Sequence, residues 1–398
     1  MNDLNRSSLY GDGFFSFTRK DLFIKLILLF PITTLLQHHV GVLNKLVFFT
    51  VLVVLFAVQG VQKKPLLYMM GISLLWLFSM VVTPIAALKA NFNMAFYYIF
   101  LVFYLIFILT EQDDVWELLK RNRRYIFYMV MIYTLIVTAS IFLPSSYAQQ
   151  TAGGWGEEAY FTSISGSPNR VGPASVFVVV LITFLIQTGS HWSLAFLAVP
   201  QLYVFLMGGS RTYFVVGACS VLVLYYVMLP KKKWFYLSLV PIGIIGLILV
   251  LNSNMMHKFA ATFQEGLDKR EFWRRLTNTR SIFWVEQLQM FFATPWYKQL
   301  LGNGINFTTY NYGLWAHSDF IEILCSYGYV GLVNYIGLMI YTMRQLMKTK
   351  RSHFLIKCVL VFIWFFNAFI NFFYCYFCAM LCYPILLLII KHLDDCKA

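Results

Sequence analysis

Long apolar runs, separated by short polar segments, fill most of this 398-residue chain. A helix needs roughly 20 mostly apolar residues to cross a bilayer, and lipid offers no other partners for backbone polar groups. Twelve candidate runs occur, and they begin near Leu22, Val42, Leu66, Met94, Tyr125, Val171, Trp192, Thr212, Trp234, Phe320, Phe354 and Phe373. The sequence therefore predicts an all-α polytopic membrane protein with about 12 transmembrane helices, in one integral membrane domain over residues 1–398.

The composition excludes a soluble globule, since 60% of residues are hydrophobic, only 12% are charged, and the mean hydropathy is +0.68. The seven cysteines lie mostly in apolar runs, where cysteine behaves as a small buried hydrophobe. Cys375 and Cys378 form a Cys-x-x-Cys pair, but no histidine pair accompanies it. We therefore predict neither a metal site nor a redox cofactor there, and no cleavable signal peptide is recognisable before the first run.

Basic residues are distributed unevenly between the two sides of the predicted bundle. Of 31 Lys and Arg residues, nineteen cluster in segments that the alternation of spans places on one side. They are Arg6, Arg19, Lys20, Lys63, Lys64, Lys120, Arg121, Arg123, Arg124, Lys231, Lys232, Lys233, Arg344, Lys348, Lys350, Arg351, Lys357, Lys391 and Lys397. The short opposite loops contain only Lys45, Lys89, Arg170 and Arg211. The positive-inside rule then predicts that both termini are cytoplasmic, and the net charge of +14 needs no nucleic acid partner.

Two outer segments are too long to be simple turns, and loops of such length are usually functional. The smaller covers residues 144–170 and ends in Ser-Pro-Asn-Arg. The larger covers residues 252–318 and combines basic residues with tryptophans. Within it, the apolar spacing between Arg280 and Phe292 predicts a short amphipathic helix at the membrane interface, with Ile282, Val285, Leu288 and Phe292 on its apolar face.

The stretch from Leu300 to Leu332 places His317, Ser318 and Asp319 directly before an apolar run. Asp319 and Glu322 are three residues apart, so a helix would hold both carboxylates on one face of its first turn. One interpretation is simple helix capping by Ser318 and Asp319. The other is that His317 acts as a general base, because an imidazole titrates near neutral pH, with Asp319 or Glu322 in a supporting acid–base role.

Arg211 lies between two predicted spans, in the sequence Gly-Gly-Ser-Arg-Thr. An arginine at the edge of a membrane helix must reach the lipid headgroups or bind an anion. The predicted topology places Arg211, Arg280 and His317 on the same outer side. Two guanidinium groups have the planar donor geometry to neutralise a diphosphate without a metal ion, so the sequence favours a lipid diphosphate as leaving group.

The ordered motifs between Gly208 and Gly331 resemble those of the O-antigen polymerase and O-antigen ligase superfamily. They are Gly-Ser-Arg at 209–211, Arg280 before an amphipathic segment, Leu-Gly-Asn-Gly at 301–304, and His-Ser-Asp-Phe-Ile-Glu at 317–322. The resemblance implies a metal-independent, inverting glycosyltransferase of the all-helical membrane (GT-C-like) class, without a cofactor. It would act on undecaprenyl-diphosphate-linked glycans at the periplasmic face of the bacterial inner membrane.

By that resemblance, Arg211 and Arg280 would hold the diphosphate, His317 would activate the acceptor, and Arg170 would be a further phosphate contact. The crowded basic run 269–275 leaves open whether Arg275 or Arg280 is the partner of Arg211. His-Ser-Asp-Phe favours a polymerase, for which donor and acceptor are both lipid-linked and a chain-length regulator is a possible partner. A ligase that transfers glycan to lipid A-core, or a flippase for lipid-linked oligosaccharides, is the alternative.

Overall fold

The structure is a computed structural model that describes residues 18–59, 63–90, 92–149, 159–229, 232–253, 256, 272–273, 277, 279–348 and 353–393. Helices make up nearly all of its regular structure, and a single two-stranded sheet is the only other element within these ranges. The predicted all-α class is thus confirmed. Arg275 and much of the predicted outer loop before Arg280 lie outside the described residues.

The helices follow one another along the chain, and the longest intervals between them lie before α8 and before α12. The first group comprises α1 (Arg19–Leu36), α2 (Gly41–Val58), α3 (Lys63–Val82), α4 (Ile85–Ala90), α5 (Met94–Thr110), α6 (Gln112–Arg121), α7 (Arg123–Ile141) and α8 (Pro168–Gln187). The second group comprises α9 (Val199–Met207), α10 (Arg211–Met228), α11 (Lys232–Leu251), α12 (Arg280–Phe292), α13 (Trp296–Leu301), α14 (Phe307–Tyr312), α15 (Asp319–Leu346), α16 (Phe354–Ile370) and α17 (Phe377–Lys391). Between α7 and α8, strands β1 (Tyr147–Gln149) and β2 (Ala159–Phe161) form an antiparallel hairpin that the sequence did not predict.

Seven of these helices are long and apolar enough to cross a membrane, namely α2, α3, α7, α8, α10, α11 and α15. Together α5 and α6 would make an eighth, although the two are bent by 89° relative to each other. Three shorter apolar stretches, Trp192–Met207, Phe354–Ile370 and Phe377–Lys391, accompany them in the described part of the chain. The protein is therefore a multi-pass membrane protein, and seven to eight of the predicted spans have the length and composition required.

Helices α8 and α17 form the centre of the bundle. In α8, 83% of the span is buried, and all α17 residues from Phe377 to Ile390 are buried. The ring of Phe377 packs on Phe30 and Phe48, with centroids 5.4 and 4.5 Å away. By contrast, only 6% of α11 is buried, so its apolar side chains are available to lipid. Since lipid tails are as apolar as these side chains, close packing rather than exclusion of water holds such helices together.

Ion pairs join the start of α1, the α5–α6 bend and the end of α17. Lys20 Nζ lies 2.9 Å from a carboxylate oxygen of both Glu111 and Asp114, and Lys391 Nζ lies 2.6 Å from Asp113. All of these segments belong to the side that the charge distribution predicts to be cytoplasmic. We call this part of the bundle the ionic end. The last turns of α8 and α17 meet at the ionic end, where Gln187 Nε2 donates to the Ile389 carbonyl (2.9 Å). The starts of both helices therefore lie at the opposite end of the bundle.

Helix α12 has the bounds that the sequence predicts. Val285 and Phe292, on its predicted apolar face, are each 55% exposed, whereas Gln287 and Phe291 are buried. Gln287 turns inward, and its amide donates to the Leu314 carbonyl (3.0 Å). Exposed apolar side chains on such a helix suit a lipid interface.

Candidate functional site

Arg211, Arg280 and His317 are far apart in sequence, yet each stands at the start of a helix. Arg211 begins α10 and Arg280 begins α12, while His317 precedes α15 by two residues. The start of α10 lies beside the start of α8, since a Cβ placed on Gly172 would come within 2.7 Å of the Tyr213 side chain. The Arg280 guanidinium donates to the carbonyl of Ile370, the last residue of α16. The three residues therefore gather at the end of the bundle opposite the ionic end.

The two arginines are half-buried and influence each other. Burial lowers the pKa of Arg280 from its ordinary value, and the positive charge of Arg211 lowers it further, whereas the phenols of Tyr376 and Tyr213 raise it. An arginine still remains charged, because its ordinary pKa lies above 12. The charge of Arg211 acts on Arg280 in a partly desolvated place, so an anion bound between the two guanidinium groups would be stabilised by both.

His317 is fixed in an unusual backbone conformation beside Arg280. Its φ angle is +50°, a left-handed value that costs a residue other than glycine roughly 1–2 kcal/mol. Its ring lies against Phe372 with centroids 5.2 Å apart, and its buried Nδ1 has no hydrogen-bond partner among the described residues. Burial, together with the charge of Arg280, lowers the pKa of His317 to about 3. The imidazole is consequently neutral at physiological pH and able to accept a proton.

Glu322 anchors the loop that presents His317. Its Oε2 accepts the Thr308 hydroxyl at 2.7 Å and the backbone N–H of Ala316 at 3.3 Å. The indole of Trp284 on α12 donates to the Ala316 carbonyl at 2.6 Å. Glu322 itself is 1% exposed. Its carboxylate thus joins α14, α15 and the loop that carries His317.

Asp319 anchors the second loop of the site, between α16 and α17. Its Oδ2 accepts the Tyr335 hydroxyl (2.6 Å) and the backbone N–H of Tyr374 (3.3 Å). Trp364 in turn donates to the Tyr335 hydroxyl (3.1 Å), and Asp319 is fully buried. These bonds connect Asp319 to the 372–376 loop rather than to His317. The two carboxylates therefore fix the loop that presents His317 and the 372–376 loop, whose Phe372 packs on the His317 ring.

A break in α15 fastens the Leu-Gly-Asn-Gly segment to the same helix. Gly328 has φ +66° and ψ −169°, a conformation essentially restricted to glycine. The break frees the carbonyl groups of Cys325 and Ser326 from the helix. The backbone N–H of Asn303 donates to the Cys325 carbonyl (3.0 Å), and that of Gly304 donates to the Ser326 carbonyl (3.3 Å). A Cβ on Gly302 would lie only 2.2 Å from the Ser326 oxygen. The glycines of this motif therefore permit one backbone to dock on another.

Arg170 belongs to a different part of the site from the other two arginines. It lies in the first turn of α8, donates to the Ser165 carbonyl (3.1 Å), and lines a cavity of about 500 Å³. Tyr376 also lines this cavity, and burial raises the pKa of Tyr376 to about 12 while the charges of Arg280 and Arg170 both lower it. Tyr376 therefore lines the cavity and lies within electrostatic reach of both Arg280 and Arg170.

Several residues of the site were not singled out from the sequence. Phe372 and Tyr376 lie in an aromatic run that reads as a membrane span, and Trp284 lies in a helix that reads as interfacial. Lys45 and Lys89 were noted only as two of the four basic residues on the outer side. The small number of basic residues on the outer side was the signal that could have identified them, because both lysines line the cavity with Arg170. Arg275, the fourth arginine expected from the sequence, lies outside the described residues.

No group of three or more His, Cys, Asp or Glu side chains within the described ranges is placed to hold a metal ion. The polar groups that meet at the site are instead two guanidinium groups, one neutral imidazole and several aromatic rings. This arrangement can bind an anion and accept a proton beside it. No protein-family model matches the chain, and a search of curated proteins finds no match either.

Proposed function

We propose that this protein is a glycosyltransferase that extends a surface polysaccharide at the outer face of the bacterial inner membrane. The donor is a glycan on undecaprenyl diphosphate, and the acceptor is a second lipid-linked repeat unit. The acceptor hydroxyl oxygen attacks the anomeric carbon from the side opposite the diphosphate, so the configuration inverts. The bond from carbon to the diphosphate oxygen breaks, the diphosphate leaves with the electron pair, and His317 accepts the hydroxyl proton.

One observation carries the proposal, namely the placement of Arg211 and Arg280 beside a neutral histidine. The guanidinium pair would stabilise the negative charge that develops on a departing diphosphate. His317 Nδ1 has no partner among the described residues, and its backbone is held in a fixed conformation, as a proton acceptor requires. The Oε2 atom of Glu322 and the Oδ2 atom of Asp319 each accept two hydrogen bonds from groups that hold the loops, so we assign both residues the role of positioning residues.

The proposal includes a twelve-span topology with both termini in the cytoplasm. The seven long apolar helices, the α5–α6 pair, the three shorter apolar stretches and α1 together give twelve. Helix α1 is 18 residues long and begins with charged residues that take part in the ionic end. In this arrangement the ionic end faces the cytoplasm, and the site faces the periplasm, where the lipid-linked donor is presented.

The test is transfer by purified protein with an undecaprenyl-diphosphate-linked repeat unit. Wild-type protein should release undecaprenyl diphosphate and form longer glycans. His317→Ala should lower this rate by roughly 10²- to 10⁴-fold, as removal of a general base does, while the donor still binds through the arginines. Equal rates for wild-type and His317→Ala protein, at equal amounts of folded protein, would remove His317 from the mechanism.

Complementation of a strain that lacks this protein separates a polymerase from a ligase. With His317→Ala, loss of a polymerase leaves lipid A-core capped with a single repeat unit, because a separate ligase still acts. Loss of a ligase leaves bare lipid A-core and long polymer on undecaprenyl diphosphate. We expect the first pattern, since the motif at His317 is similar to that of polymerases.

A further inference from the structure

The cavity beside Tyr376 gathers positive charge from three separate helices. Lys45 comes from the first turns of α2, Lys89 from α4, and Arg170 from α8. No Asp or Glu is among the residues that line it, as far as the described chain extends. Three cations that share a concave space repel one another unless an anion joins them. The lining therefore favours an anionic ligand.

Helix geometry adds to this positive potential. Helices α5, α8 and α17 all begin at the cavity wall, where their N-cap residues Asn93, Ser167 and Tyr376 are exposed to the space. None of these three side chains makes the usual capping hydrogen bond within its own helix. The first N–H groups of a helix need acceptors, and the helix dipole favours negative charge at this position. The three helix starts therefore place positive dipole ends around one cavity, which adds to the potential of the cations.

The remaining lining is suited to a sugar rather than to a bare phosphate ion. The amides of Gln37, Asn44 and Asn169 offer donors and acceptors for hydroxyl groups, while the rings of Tyr97 and Trp315 offer flat apolar surfaces. A volume of about 500 Å³ lies within the range of roughly 300–1,000 Å³ that small-molecule sites occupy. The cavity therefore fits one or two sugar rings that bear an acidic group.

The cavity also adjoins the site of transfer. Trp315 lines it and is only two residues from His317, with ring centroids 6.5 Å apart. Phe372 lines it too and packs on the His317 ring. A ligand in the cavity would accordingly lie next to the two rings that contact the imidazole.

We propose that this cavity binds an acidic sugar of the acceptor glycan, recognised by Lys45, Lys89, Arg170 and the helix starts. The acidic group is a carboxylate or a phosphate attached to the sugar, and the repeat unit is therefore anionic. The assignment of this sugar to the acceptor rests on the proposed glycosyl transfer. The binding of an acidic glycan does not, because it needs only the cavity.

Binding is measured with the full chain in nanodiscs of zwitterionic lipid, using galacturonic acid oligomers as the carboxylate probe. Their methyl esters are the matched neutral probe, and a sugar phosphate tests the other acidic group. We expect the acid to bind at least tenfold more tightly than the ester. Lys45→Gln combined with Lys89→Gln should weaken the acid about tenfold, or about threefold for each lysine. Lys233→Gln combined with Lys348→Gln, which removes equal charge away from the cavity, should leave binding unchanged.

Three results would overturn the proposal: equal affinity for acid and ester, an unaltered affinity in the Lys45 and Lys89 variant, or displacement of the acid by phosphatidylglycerol added to the nanodisc. The last result would identify the cavity as a lipid headgroup site. Arg211→Gln should retain acid binding while transfer is lost. If the acid binds but no variant or condition ever transfers glycan, the proposed function fails and the cavity assignment stands. If transfer occurs but the ester binds as well as the acid, the cavity assignment fails and the proposed function stands.

Discussion

The Oε2 atom of Glu322 accepts the backbone N–H of Ala316 at 3.3 Å, one residue before His317. The same oxygen accepts the Thr308 hydroxyl at 2.7 Å. Glu322 only accepts these two hydrogen bonds, and neither donor transfers its proton. The oxygen of an uncharged amide side chain can accept the same two bonds. A catalytic carboxylate, in contrast, cannot be replaced by an amide.

We therefore expect Glu322→Gln to keep transfer within about threefold of wild type, whereas Glu322→Ala lowers it at least tenfold. Loss of a buried acceptor leaves the Thr308 and Ala316 donors unsatisfied, at about 1–3 kcal/mol each. Thermal unfolding and transfer rates measured together on the two variants check this. A Glu322→Gln protein that is fully folded and inactive would make Glu322 a catalytic residue.

The second prediction concerns the pH dependence of transfer. In the free protein the pKa of His317 is about 3, so His317 stays neutral from pH 5 to 8 and kcat/KM should not follow its titration. A bound diphosphate offsets the charge of Arg280, the smaller cause of the lowered pKa, so the pKa of His317 rises while burial still keeps it below 6.5. We then expect kcat to fall at acidic pH, and to do so at a higher pH than kcat/KM does. A kcat that falls at the same pH as kcat/KM would contradict a base whose pKa depends on the bound diphosphate.

The same titration affects folding stability. The folded-state pKa of His317 lies below its unfolded value, so the contribution of neutral His317 to stability is complete above about pH 6.5 and is lost as the pH falls toward 3. Thermal unfolding midpoints should therefore drop more steeply between pH 6.5 and 4 for wild type than for His317→Gln. Parallel curves for the two proteins would show that His317 titrates normally.

The third prediction uses two glycines of the same helix. Gly328→Ala places a Cβ 2.4 Å from the Leu300 oxygen and forces alanine into a positive φ, so we expect a loss of about 2 kcal/mol or more. Gly337→Ala meets nothing within 4 Å and should be neutral or stabilise the helix by up to ~1 kcal/mol. Unfolding in detergent micelles compares them. Equal midpoints would mean that the contact of Gly328 with the segment from Leu300 to Gly302 does not contribute to stability.

The fourth prediction distinguishes anion binding from lipid contact at Arg211. Arg211→Lys keeps the positive charge but loses the planar donor pair, so transfer should fall at least tenfold, equivalent to roughly 1.5–3 kcal/mol of charge-assisted hydrogen bonding. Arg344→Lys, at the far end of α15, is the matched control and should have no effect. Full activity of Arg211→Lys would favour simple contact of Arg211 with lipid headgroups.

The fifth prediction concerns sidedness. Phosphatase fused after Gly313, in the exposed turn that follows α14, should be active, because the topology places that turn in the periplasm. A fusion after Lys232, at the start of α11, should be inactive. The reverse pattern would invert the bundle and move the site to the cytoplasm.

The sequence predicted well those elements whose pattern is local. The helix from Arg280 to Phe292 has the predicted bounds because its apolar spacing is that of a helix, and the helix at Asp319 begins where polar residues give way to apolar ones. The inward direction of Gln287 could not be predicted, because its partner, Leu314, lies in a distant loop. Tertiary hydrogen bonds of this kind do not change the hydrophobic periodicity of the sequence, so they cannot be predicted from it.

Roles were harder to foresee than positions. Asp319 follows His317 by two residues, so the sequence suggests a carboxylate that orients the imidazole. Its hydrogen-bond partners are instead Tyr335 and Tyr374. Lys45 and Lys89 looked like scattered exceptions to the charge distribution. Their meeting around one cavity depends on how α2 and α4 pack, which no local pattern contains.

The ionic end has a consequence for synthesis of the chain in the cell. Asp113 pairs with Lys391, which follows it by 278 positions, while Glu111 and Asp114 pair with Lys20, which precedes them. Lys20 can therefore be paired as soon as α6 has been synthesised, whereas Asp113 gains its cation only when the last helix arrives. Because Asp113 is 77% exposed in that pair, its carboxylate stays hydrated before and after, and the pair contributes little stability. A truncated chain released before α17 would instead lack the buried helix at the centre of the bundle.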